Sequence, residues 1–142
     1  MKNNKRILVV APHPDDETLG VGGTIKKFSE NGSEIFVLIV SGHLPPLYSK
    51  KEYDKTVDEA YAAFKYLGVK KSEFLEIPAT MIGSQPVHEV NKLISDVVKK
   101  FNPHMVFCPY PDRHIDHRTV FDSVMVATRP VGGGLDIEIV AT

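Results

Sequence analysis

The chain has 142 residues, 42% of them hydrophobic and 25% charged, with 17 basic side chains against 18 acidic ones for a formal net charge of −1. This length suits one domain, residues 1–142, able to bury roughly two-thirds of the surface its unfolded chain exposes, and the balanced charge excludes the basic footprint of a nucleic-acid or anionic-membrane binder. A single cysteine, Cys108, excludes an intrachain disulfide and fits a reducing, cytoplasmic setting, while the apolar run behind the basic residues 1–6 is too short for a signal sequence or a membrane span.

Residues 7–11 form a continuous β-branched run, the mark of a strand covered on both faces, and predict the first strand. A helix follows over residues 17–30, with Leu19, Ile25 and Phe28 as inward positions and Asn31-Gly32 as its stop. Gly20, Gly22 and Gly23 weaken its propensity and predict close packing of its first turns on the strands. They lack the G-x-G-x-x-G spacing of a dinucleotide site, so no cofactor-binding fingerprint is present. Residues 34–40 read as a second strand, followed by a loop, 41–46, in which His43 is a solvated or substrate-facing histidine. A helix over 53–67 carries a stripe of Val57, Ala60, Ala63, Phe64 and Leu67 and ends at Gly68. Residues 74–77 are a short third strand with a small-residue loop behind it, 78–86. A long amphipathic helix over 87–101 turns Val90, Leu93, Ile94, Val97 and Val98 inward and stops before Asn102-Pro103. His88 and His104 read as structural or exposed. Residues 105–109 are a fourth strand holding Cys108 as a buried small hydrophobe, and 115–128 a helix with Val120, Val124 and Met125 inward. A turn-rich loop over 129–134 leads to an alternating edge strand, 136–141.

Alternating strands and helices with short connections predict an α/β fold, a three-layer α/β/α sandwich with a mostly parallel, Rossmann-like sheet. In the doubly wound order 3-2-1-4-5 the first and fourth strands are neighbours at the switch point, where ligands bind beyond the carboxyl ends. Two polar stretches leave those ends. In Pro12-His13-Pro14-Asp15-Asp16-Glu17, a helical turn after Pro14 puts His13 and Asp16, three apart, on one face. Both then reach one cation, and Asp15 is left free to take a proton from water. The alternative is that the two aspartates only cap the following helix. In Asp112-Arg113-His114-Ile115-Asp116-His117, a short turn presents one imidazole to a metal and keeps the other near a carboxylate, or both histidines are surface groups in a polar loop.

The first stretch resembles the Pro-His-Pro-Asp-Asp-Glu signature of the PIG-L/LmbE-like N-deacetylases, and the second resembles that family's His-x-Asp-His motif. The resemblance runs from about Arg6 to Val120 in element order and spacing. It implies a zinc-dependent amidase, with another divalent transition metal as the variant, that removes an acetyl or related acyl group from an amino sugar or its conjugate. By motif position it implies His13, Asp16 and His117 as metal ligands and Asp15 as general base. It also implies that His114, oriented by Asp116, assists at the oxyanion or the leaving amine. The partner implied is a small-molecule amino sugar, with no nucleic acid, no membrane insertion and homo-oligomerisation left open. Family members generally carry a further C-terminal segment, which this chain is expected to lack. They also often carry a substrate-binding arginine where this chain has Thr56, and an acidic residue where it has Ala79. Two other readings are a metal-dependent hydrolase of another bond, such as a phosphoester, and a catalytically incomplete metal- or sugar-binding domain.

Overall fold

The computed structural model describes residues 4–131 and 136–142. Among these, five strands form one parallel sheet: β1 (Arg6–Ala11), β2 (Glu34–Gly42), β3 (Lys71–Pro78), β4 (Met105–Cys108) and β5 (Glu138–Ala141), in the order β3-β2-β1-β4-β5. Four helices connect them: α1 (Asp16–Glu30), α2 (Lys50–Leu67), α3 (Val87–Phe101) and α4 (Ile115–Ala127), with a single 3-10 turn at Ile82–Ser84. Because side chains alternate along a strand, Ile7, Val9 and Ala11 pack with Ile35, Val37 and Ile39 against Ile25 of α1 and Ala60, Phe64 and Leu67 of α2. Leu8 and Val10 instead join Leu38, Val40 and Val106 against Val90, Ile94 and Val98 of α3 and Val120 and Val124 of α4. The result is the expected three-layer sandwich, and Cys108 is buried in it, its thiol pushed up to about 11 by burial. No helix among the described residues is long and apolar enough to cross a membrane.

Several local expectations change. Leu19 is 82% exposed, because α1 is kinked at Val21 (φ −137°, ψ 18°) and its first turns bury Glu17 and Val21 instead. The glycines beside that kink do not serve close packing: a Cβ at Gly20 or Gly22 would meet nothing nearer than 3.7 Å, and at Gly23 nothing within 4 Å. Gly42 is the tight one, since a Cβ there would lie 2.6 Å from the Tyr53 ring. Leu93 is half exposed, on the far side of Val90 from Ile94 and so at the margin of the α3 stripe. Helix α2 starts earlier than its apolar stripe, where Ser49 accepts the Glu52 amide at 3.2 Å. Strand β3 starts earlier than its apolar core because, at the sheet edge, polar side chains suffice for pairing with β2. Part of the expected 129–134 loop, from residue 132, lies outside the described residues.

Strands β1 and β4 pair directly, Ile7 with Met105, Leu8 with Val106 and Val9 with Phe107. The turns that follow them, into α1 and α4, therefore open side by side at the carboxyl edge of the sheet.

Candidate active site and metal centre

The β1–α1 turn is tied down by its own backbone. Pro12 O accepts the Ser41 amide at 2.9 Å, and His13 O accepts the Asp16 amide at 3.2 Å while Asp16 Oδ2 accepts the His13 amide at 3.0 Å. This reciprocal pair puts His13 and Asp16 on one face, as their spacing predicts. Asp15 stands at the N-cap position with φ 93° and ψ −23°, and its side chain makes no cap hydrogen bond. The capping alternative therefore fails for Asp15. In the β4–α4 turn His114 is the N-cap, and its Nδ1 accepts the Asp116 amide at 3.1 Å. Asp112 Oδ1 accepts the His114 amide at 2.7 Å.

The two turns meet around Asp16. Its Oδ2 lies 3.2 Å from His13 Nδ1 and 3.3 Å from His117 Nε2. The far nitrogen of each ring faces another carboxylate: His13 Nε2 is 2.8 Å from Asp116 Oδ2, and His117 Nδ1 is 2.8 Å from Asp112 Oδ2. Carboxylates accept, so the far nitrogens carry N–H groups; the near nitrogen of His13 donates to Asp16 while that ring is doubly protonated, and a near nitrogen that carries no proton offers its lone pair to a cation beside Asp16. His13 Nδ1, Asp16 and His117 Nε2 thus form a donor set with ligand atoms within 4.8 Å of one another. A second such grouping, His13, His114 and Asp116, is the weaker one, because Asp116 Oδ2 already accepts the Thr80 amide at 2.7 Å and His13 Nε2. Two imidazoles and one carboxylate, each imidazole braced from behind, fit a divalent transition metal.

Asp116 turns to two histidines through different groups. Its fully buried carboxylate accepts from His13 Nε2, while its backbone amide donates to His114 Nδ1, so its link to His114 runs through the main chain. The physical reason is its place in the first turn of α4, aimed inward beneath the site. His114 lies beside the cluster, its ring 4.7 Å from that of His13 and 4.9 Å from that of His117. His43 is exposed at the rim and stacks on Tyr48 at 4.1 Å. A cleft of about 290 Å³ runs past Asp16, Asp112 and His117.

The electrostatics follow the contacts. Burial disfavours charge on His13, but hydrogen bonds to Asp116 and Asp16 outweigh it and bring its pKa to about 9. Burial alone would raise Asp16 and Asp116; the hydrogen bond from His13 is the largest effect holding each below the usual carboxylate range. Asp15 moves the other way, raised by partial burial and by the charge of Asp16. Glu17, 2% exposed, is also raised by burial.

Three contributors escaped the sequence reading. Asp112 stands in the same motif as His117, and its five-residue separation was the available signal. Thr80 acts through its backbone amide, which no side-chain pattern reports. Glu17 looks like an ordinary acidic residue in a helix's first turn.

Comparison with known proteins identifies the family. Residues 8–128 match the PIG-L family model, described as GlcNAc-PI de-N-acetylase. The chain is 33% identical over 130 residues to diacetylchitobiose deacetylase of Thermococcus kodakarensis, across 80% of this chain and 45% of that protein. It is 28% identical over 137 residues to a probable N-acetyl-alpha-D-glucosaminyl L-malate deacetylase 2 of Bacillus anthracis, across 89% and 61%. Among solved structures, an N,N'-diacetylchitobiose deacetylase from Pyrococcus horikoshii superposes with a TM-score of 0.78 at 30% identity, across 89% of this chain and 50% of that one. The chain thus spans between 45% and 61% of the length of these three relatives.

Proposed function

This chain belongs to the PIG-L family, and from that premise we propose that it hydrolyses the N-acetyl amide of an amino sugar or amino-sugar conjugate, releasing acetate and a free amine. The observation that carries the reading is the convergence of His13 Nδ1 and His117 Nε2 on Asp16, with Asp116 and Asp112 bracing the two rings from behind. His13, Asp16 and His117 would hold the metal, and mixed imidazole and carboxylate ligation favours zinc. Bound there, zinc supplies Lewis acidity to the amide carbonyl and to water.

The protein's own groups carry the protons. Asp15, uncapped and raised, accepts the proton of the attacking water as its oxygen bonds to the carbonyl carbon. It returns that proton to nitrogen as the C–N bond breaks. His114 receives a backbone N–H at Nδ1, so its ring proton sits on Nε2, which donates to the developing oxyanion. A doubly protonated ring would set two donors against each other at Nδ1. The same contact therefore favours His114 as an electrostatic partner and Asp15 as both base and acid. Arg118 spends Nη1 on the carbonyls of Asp112 and Arg113, at 2.9 and 3.1 Å, which disfavours a phosphate cradle and hence a phosphoesterase.

The test is acetate release by zinc-loaded protein from a panel of N-acetylglucosamine, diacetylchitobiose and N-acetylglucosaminyl conjugates of malate and inositol. Release from at least one is expected, and release from none overturns the reading.

A further inference from the structure

Asp15 holds a position that its own chemistry does not explain. An aspartate at an N-cap ordinarily has extended backbone and accepts an amide of the first turn with its carboxylate. Asp15 does neither: it is left-handed at φ 93° and leaves the helix uncapped. A residue with a side chain keeps such a conformation only where its surroundings impose it. Two bonds do so. The Asp15 carbonyl accepts the Leu19 amide at 2.9 Å, the ordinary first bond of a helix, and the Asp15 amide donates to Glu17 Oε2 at 3.1 Å. The second bond is half of a capping box, formed one position earlier than usual and without the reciprocal bond from the N-cap side chain.

Glu17 is built for that contact. It is 2% exposed, its other oxygen accepts the Thr18 hydroxyl at 3.1 Å, and a buried carboxylate is a costly way to fill space that an apolar side chain would fill. We propose that Glu17 is a positioning residue, whose buried carboxylate clamps the Asp15 amide so that the Asp15 side chain is released from capping and held toward the reacting water. This assignment rests on the reading of Asp15 as the base. The hydrogen bonds of the Glu17 carboxylate run to the Asp15 amide and the Thr18 hydroxyl and not to the ligand atoms of the metal set, so it acts through the peptide of its neighbour.

The full chain is compared with Glu17→Ala, Glu17→Gln and Glu17→Asp by amide hydrogen exchange, zinc affinity and steady-state kinetics. Glu17→Ala should speed exchange at the Asp15 amide by about 10-fold or more while leaving amides beyond the kink, such as that of Ile25, unchanged. Zinc affinity should stay within about threefold, and kcat should fall ~10- to 100-fold with KM little altered, the signature of a displaced catalytic group. Glu17→Gln retains an acceptor of the same reach and should restore slow exchange and most of kcat. Glu17→Asp, too short to reach, should behave as Glu17→Ala does, and decides the matter with Gln if the alanine variant fails to fold. Unchanged exchange at Asp15 in the alanine and aspartate variants overturns the clamp. So does a loss of zinc affinity that accounts for the lost activity, or a glutamine variant as impaired as alanine. Should the parent chain release no acetate from any substrate, the deacetylase reading fails on that result alone, and the exchange data still decide the clamp.

Discussion

The turn from β1 into α1 and the turn from β4 into α4 leave adjacent parallel strands and open helices with similar histidine and aspartate sequences, yet they begin those helices differently. His114 starts α4 with extended backbone (φ −79°, ψ 124°) and accepts a first-turn amide. Asp15 starts α1 in the left-handed region and accepts none. In the second turn, helix capping and the proposed site chemistry fall on the same side chain, because an imidazole can accept at one nitrogen and donate at the other. On the proposed reading, a carboxylate that must stay open to take a proton cannot also be engaged as a cap, so the first turn would leave the anchoring to Glu17 and accept backbone strain. On that reading, local departure from helix-start rules marks the group that would transfer protons, and conformity belongs to His114, the group that would donate to the oxyanion.

The sharpest break in that comparison comes from removing the set that joins the turns. Replacing both His13 and His117 with alanine should abolish zinc binding, measured by metal analysis after dialysis, and bring acetate release to background; stoichiometric zinc in that variant would mean the ligands lie elsewhere. Next in size is the division of labour between adjacent aspartates. Asp15→Asn should lower kcat by ~10²- to 10⁴-fold with zinc retained, whereas Asp16→Asn should lose the metal. The reverse pattern would exchange their roles.

A third effect concerns the metal-free protein. The pKa of His13 in the fold, about 9, lies above its unfolded value of 6.5, so its ion pairs contribute stability that is fully present below pH 6.5 and is lost as pH rises through 9. Asp16 and Asp116 are lowered and contribute stability that is present above the ordinary carboxylate pKa and is lost as pH falls through their folded values. Metal-free stability should therefore peak between about pH 4 and 6.5 and decline by on the order of 2 to 3 kcal/mol toward pH 9. Zinc, which takes the proton's place on His13, should stabilise more at pH 8 than at pH 6. Denaturant melts with and without zinc at both values check the sign.

The strand order and the meeting of the two motifs were legible because buried parallel strands are continuous apolar runs, and the switch point follows from their alternation with helices. Helix α3 was readable to its ends for the same reason: one regular stripe and a stop at Asn102-Pro103. Helix α1 was not, since the kink at Val21 divides it into two faces and turns Leu19 outward, a tertiary effect that no period reports. Within the site, spacing placed His13 beside Asp16. It did not reveal which nitrogen each histidine turns inward, because that is decided by Asp116 and Asp112 from different depths of the second turn.

Those two braces give the finest test. Asp116 is fully buried behind His13, while Asp112 is 53% exposed behind His117. A carboxylate that fixes the tautomer of a metal-ligating histidine typically contributes ~10- to 100-fold in metal affinity. Asp116→Asn should fall at the upper end, because the asparagine amide would be shut away from water against His13 and the Thr80 amide, with no solvent to replace the lost charge. Asp112→Asn should fall at the lower end, since water and salt already screen an exposed carboxylate and can substitute for it. Zinc titrations of the two variants, run in the same buffer, measure the gap. Equal losses would mean that burial does not set the strength of the brace, and a larger loss at Asp112 would place the dominant support of the site in the exposed turn.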